Sequence, residues 1–166
     1  MNFNEHMNNI DFSSLKKLFL EKGKSIEFKK KDYFVRQNEP CKYVGFVQSG
    51  IFRYTRINND GNEPIVGYSF TDNFVCDYPS LIKNSGALTN IQAVTDCSVY
   101  ILSMKELNDF WETSMATQRF GRLVAEEIFV ETYGRLLGFY CDTPEQRYIA
   151  LLERNPDLLQ YITLKE

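Results

Sequence analysis

The hydrophobic pattern of this chain changes period at Ser103, from about two residues before it to about 3.6 after it. Before that point the apolar residues come in brief runs. Ile26 and Phe28, Tyr33 and Val35, and Tyr43, Gly45 and Val47 alternate with polar neighbours, as on strands with one covered face. Turn formers separate the runs, at Arg36-Gln37-Asn38-Glu39-Pro40 and at Gln48-Ser49-Gly50. Residues 51–57 and 64–70 flank Asn58-Asn59-Asp60-Gly61-Asn62-Glu63. Asp-Gly in that linker marks a hairpin, because glycine takes positive φ without steric cost. Residues 74–76, 88–94 and 98–102 are further strand candidates. Many short strands at regular spacing predict a sandwich or jelly-roll barrel. Phe12, Leu15, Leu18 and Phe19, at helical spacing and stopped by Gly23, predict a short helix ahead of it.

After Ser103 the signals are helical. Ser103-Met104-Lys105-Glu106 fits a capping box. A long helix is predicted over about 115–140, a stretch without proline. It carries two apolar stripes, Leu123, Val130, Gly134, Leu137 and Cys141 on one face and Phe129, Tyr133, Leu136 and Tyr140 on another. Such a helix can dock on its own barrel and also pack on a partner helix; burial in a monomeric core is the alternative. Gly134 and Gly138 stand one turn apart, and a helix interior disfavours each by about 1 kcal/mol relative to alanine, so a close helix contact is expected there. Thr143-Pro144-Glu145-Gln146 starts another helix, ended by Asn155-Pro156. Thr163-Leu164-Lys165-Glu166 is a third capping box at the last four residues, from which a longer parent polypeptide is expected.

Several function classes are disfavoured. The net charge of −3 gives no basic field to capture DNA, and Lys29-Lys30-Lys31 reads as a solvated hairpin rim. No apolar run approaches the ~18 residues of a membrane span, and the start MNFNEHMNNIDF lacks a signal-peptide pattern; a cytoplasmic location without membrane contact is expected. Cys41, Cys76, Cys97 and Cys141 form no CxxC pair, so they read as reduced thiols and not as zinc ligands. A jelly roll could also be a cupin-type metalloenzyme, but the single histidine, His6, lies outside the predicted barrel. A nucleophilic triad would depend on that same residue, and no P-loop or Rossmann fingerprint is present. Neither an enzyme nor a cofactor is expected.

Several turns match one known family. Gln37-Asn38-Glu39 is similar to a Gln-Gly-Glu turn with Asn for Gly, Gln48-Ser49-Gly50 to a Lys/Ser-Gly turn, and Asn59-Asp60-Gly61 to the next hairpin. Asp72-Asn73-Phe74 stands where that family has Gly-Asp-Phe. With the order short helix, jelly roll, long helix and further helix starts, the chain resembles the Crp/Fnr transcription regulators over nearly its whole length. The resemblance implies an α+β fold: a jelly-roll (double-stranded β-helix) barrel with a short N-terminal helix and a long C-terminal dimerisation helix. It implies a cyclic-nucleotide-binding-like sensor at 1–114, the dimerisation helix at 115–141, and at 142–166 the incomplete start of a winged-helix DNA-binding domain. The implied assembly is a homodimer through Leu123, Val130, Gly134, Leu137 and Cys141. DNA contact would come only through a helix-turn-helix that this chain lacks. A stand-alone interaction module is the alternative.

The resemblance also singles out a pocket. Members that bind cyclic AMP have Gly-Glu followed about ten residues later by an Arg that clamps the cyclic phosphate. Cys76-Asp77 stands in place of Gly-Glu, and Ala87-Leu88 in place of the Arg and its small neighbour. A buried phosphate needs a cation with forked donors, which Ala87 cannot supply. Asp77 could accept a ligand hydroxyl, Leu88 and Cys76 make the site more apolar, and Thr132 lies near where members touch the base. Three occupants stay open: the protein's own side chains, a less anionic or apolar effector, or a cyclic nucleotide held by another cation such as Lys83.

Overall fold

The short alternating runs close into two antiparallel sheets. A computed structural model of the chain describes residues 10–154. Its elements are α1 (Ser13–Lys22), β1 (Lys24–Phe28), β2 (Tyr33–Val35), β3 (Tyr43–Ser49), β4 (Phe52–Thr55), β5 (Ile65–Ser69), β6 (Phe74–Val75), α2 (Tyr78–Lys83), β7 (Asn90–Ala93), β8 (Cys97–Ser103), α3 (Met104–Trp111), α4 (Met115–Cys141) and α5 (Pro144–Arg154). One sheet runs β1-β8-β3-β6 and the other β2-β7-β4-β5. Apart from β4 and β5, strands adjacent in a sheet come from distant parts of the sequence, which is jelly-roll topology. The expected β4–β5 hairpin pairs Phe52 with Ser69 and Tyr54 with Gly67, and Gly61 at its tip has φ +81°.

Residues Asp11–Phe110 make one compact unit, and the described residues from Trp111 onward belong to a second. In the first unit the core lies between the sheets, where Val47, Phe52, Val75, Ile91 and Val99 are fully buried. Phe52 meets Phe28 and Phe34 edge-on at 5.5 and 6.0 Å between ring centres. The alternation expected along β3 does not hold: Val44, Gly45, Phe46 and Val47 are all buried while Tyr43 is exposed. Phe46 is covered from outside, because α1 places the fully buried Phe19 ring 6.4 Å from it and 5.4 Å from Phe74.

In the second unit, α4 begins at a capping box that the hydrophobic periodicity did not reveal. Ser114 Oγ accepts from Thr117 N, and Thr117 Oγ1 accepts from Ser114 N. The boxes expected at Ser103 and Thr143 both form, with Glu106 and Gln146 returning to the backbone N–H of those residues. None of the 27 residues of α4 is buried. Both apolar stripes are therefore open, from Leu123, Val130 and Leu137 to Phe129, Tyr133, Leu136 and Tyr140. The half-buried positions fall on a third face, through Thr117, Val124, Ile128 and Arg135. Among the described residues no helix is long and apolar enough to cross a membrane. His6, Asn155-Pro156 and the Thr163 capping box lie outside the described residues, as does the part of segment 142–166 beyond Arg154.

Candidate functional site

The segment singled out as a candidate pocket contains a helix that strand periodicity did not predict. Asp77 caps α2, its Oδ1 accepting the N–H of Ser80 at 3.2 Å, with Pro79 in the first turn. Asn84 ends it in the left-handed region, φ +48°. An Asp followed by proline and a short apolar pair is the signal that could have disclosed this helix.

The other oxygen of Asp77 does something a cap does not require. Asp77 Oδ2 accepts the backbone N–H of Leu88 at 2.9 Å, the N–H of Thr89 at 3.0 Å, and the Thr89 hydroxyl at 2.9 Å. The side chain is buried, 4% exposed, so both oxygens are engaged inside the protein. Ser80 continues the network: its hydroxyl donates to the Ser85 carbonyl and accepts the N–H of Cys41 at 3.0 Å. The loop that follows is fastened to the Gln37-Asn38-Glu39 turn. Ala87 N donates to Glu39 O, and Asn38 N donates to Ala87 O, both at 2.8 Å.

Of the residues singled out from sequence, Asp77, Ala87 and Leu88 come together here. Ala87 is 1% exposed and held between backbone groups, whereas the Leu88 side chain is 47% exposed and lines no interior. Cys76 is half-buried, next in sequence to Asp77, and burial pushes its thiol well above the usual range, with Cys41 and Asp77 adding to the effect. Cys41 is raised by burial too, so these thiols stay protonated. Tyr54, buried between the sheets, has its phenol raised by burial and bonds Ser69 at 3.0 Å, while Ser69 donates to Phe74 O. Thr132 lies on the exposed surface of α4, in the second unit.

The sequence reading missed three participants. Thr89, in the loop before β7, and Ser80, inside α2, were hidden because a lone hydroxyl residue carries no pattern of its own. Arg56, at the end of β4, brings Nη1 to 3.5 Å from the Leu88 carbonyl. It is a cation with a described contact to this loop, while Lys83 sits exposed in the last turn of α2. Among the described residues no group of His, Cys, Asp and Glu could hold a metal ion.

The model of the cyclic nucleotide-binding domain matches residues 25–114, which contain the barrel but for Lys24, and this segment. The chain belongs to the cyclic nucleotide-binding domain family. Solved structures share the fold at low identity. The c-di-GMP responsive global regulator CLP of Xanthomonas campestris matches 86% of this chain and 71% of its own, at 17% identity and TM-score 0.64. The catabolite activator protein of Thermus thermophilus matches 85% and 60%, at 18% identity and TM-score 0.57. FixK2 from Bradyrhizobium japonicum matches 64% and 52%, at 19% identity and TM-score 0.53. The chain thus spans between 52% and 60% of the length of the latter two. No curated protein sequence matches it.

Within the cyclic nucleotide-binding domain family, two turns that resemble glycine turns keep the glycine conformation without the glycine. Asn38 has φ +71° and Asp72 φ +68°. Asn and Asp tolerate this region better than other non-glycine residues, so the backbone course survives the substitution.

Proposed function

We propose that the chain is the effector-sensing and dimerisation part of a Crp/Fnr-like DNA-binding transcription regulator, and that it does not respond to cyclic AMP in the usual way. The observation that carries the second half is Ala87. At the position where the resemblance puts the phosphate-clamping Arg stands a buried alanine, whose backbone N–H and carbonyl bond Glu39 and Asn38. Removing one partner of a buried, hydrogen-bonded charge pair costs about 2–5 kcal/mol. That is roughly a 30- to 3,000-fold loss of affinity.

Dimerisation is supported by α4, whose open stripes include the proposed interface residues Leu123, Val130, Gly134, Leu137 and Cys141. In this reading residues 1–114 sense, 115–141 join two copies, and 142–166 lead into a DNA-binding domain, in a cytoplasmic protein without enzymatic activity. The Xanthomonas global regulator and the Thermus catabolite activator protein, which share this fold, fit that role.

Isothermal titration calorimetry with cyclic AMP tests the reading, with an expected dissociation constant of roughly 100 μM or weaker. A low-micromolar constant would overturn it and make Arg56 the first candidate for the missing cation, ahead of Lys83.

A further inference from the structure

Capping α2 uses only one oxygen of Asp77. The other collects three donors from residues 11 and 12 positions further along the chain. Two successive backbone N–H groups and an adjacent hydroxyl, all aimed at one point, form a nest of the kind that binds anions. The oxygen at that point belongs to the protein itself.

We infer that Asp77 is a built-in anionic ligand: its carboxylate occupies the nest made by Leu88 and Thr89, closes it to free phosphate or carboxylate, and holds residues 85–89 in place without a small molecule. An ionised carboxylate has about four acceptor positions. Ser80 N bonds Oδ1, while Leu88 N, Thr89 N and Thr89 Oγ1 all converge on Oδ2, so that oxygen has no acceptor capacity left for a ligand hydroxyl. Burial makes the arrangement specific, because a buried carboxylate is tolerated only when its oxygens are hydrogen-bonded. An entering anion would have to displace this carboxylate, whose local concentration is set by the fold and cannot be diluted. The residue would therefore determine what the domain excludes, in addition to the lost cation at Ala87. The inference rests on the proposed sensor reading only for the choice of cyclic AMP as one probe.

The test is amide hydrogen exchange on the whole 166-residue chain, followed at Leu88 and Thr89 in the wild type, Asp77→Asn and Asp77→Ala. In the wild type both amides should be protected, and neither acetate, inorganic phosphate nor cyclic AMP at constant ionic strength should change their rates. In Asp77→Asn, which keeps one side-chain oxygen but no charge, exchange should accelerate about ten- to a hundred-fold at these two amides. In Asp77→Ala the vacated nest should take acetate or phosphate saturably, with protection returning.

Saturable protection of the wild-type amides by phosphate or cyclic AMP would overturn the inference, as would unprotected wild-type amides. Asp77→Asn exchanging like the wild type would do so as well. Should Asp77→Ala not fold, the wild type and Asp77→Asn still decide the matter. Cyclic AMP binding that leaves both amides unchanged would overturn the proposed unresponsiveness while leaving the role of Asp77 intact.

Discussion

The carbonyl oxygen of Asn38 stands 2.6 Å from where a Cβ on Gly86 would be, and the Cα of Asn38 stands 2.9 Å from it. Both neighbours are backbone, in the turn that also grips Ala87. Gly86→Ala should therefore cost about 1–3 kcal/mol of stability, the range for overpacking a tight contact. Gly61 supplies the control. It has φ +81° but no atom within 4 Å of its Cβ position, so Gly61→Ala adds strain without a clash. Urea titration should find the Gly86 variant less stable than the Gly61 variant, which should lose about 1 kcal/mol.

Gly134 separates self-association from folding. A Cβ there meets nothing within 4 Å in the single chain. Gly134→Ala should then stabilise the monomer's helix by up to about 1 kcal/mol. Gly134→Leu, whose Cβ meets the same open space, should weaken the dimer. Analytical ultracentrifugation at micromolar concentration should show a wild-type dimer shifting toward monomer in the Leu variant. A wild type that stays monomeric, or a Leu variant as dimeric as the wild type, would contradict the proposed interface.

Glu63 gives stability a defined pH dependence. Hydrogen bonds from Thr55, then from Asn90, hold its carboxyl below the usual glutamate value of 4.5, with Arg53 adding to the effect. Because the folded pKa is the depressed one, the contribution is complete above the unfolded value. It is lost as pH falls through the folded one. Wild type should thus lose its advantage over Glu63→Gln as acid is added below pH 4.5. Thermal melts of both proteins from neutral pH downward should converge; parallel curves would deny Glu63 this role.

Phe19 tests whether α1 is part of the barrel's fold or an appendage. The ring is fully buried against Phe46 and Phe74. Phe19→Ala should cost about 3–5 kcal/mol, the range for a truncated core aromatic. Leu20→Ala, one residue on and 50% exposed, should cost far less. Equal losses in chemical denaturation would show that the α1 contact carries little energy.

Much of this architecture was legible in local patterns. All eight strands occur where short apolar runs and turn residues put them, and the Ser103 and Thr143 capping boxes form as read. Those features depend on residues within a few positions of one another, so sequence spacing encodes them directly. The left-handed φ of Asn38 and Asp72 follows from the turns they occupy. That position 87 carries an uncharged alanine is likewise a property of that residue alone.

Other features needed the folded chain. Burial of all four residues from Val44 to Val47 defeats the alternation rule, because the outer face of β3 is covered by α1, an element distant in sequence. Leu88, expected to make the pocket apolar, has an exposed side chain because the loop commits its backbone to Asp77. That both stripes of α4 stay uncovered also could not be read from its periodicity, since a helical wheel orders faces without saying what lies against them. Sequence thus determined the strands, the long helix and the capping boxes at Ser103 and Thr143. The tertiary structure decided where Asp77 directs its two oxygens, because hydrogen bonds across eleven residues exist only once the fold has brought the start of α2 to the loop before β7.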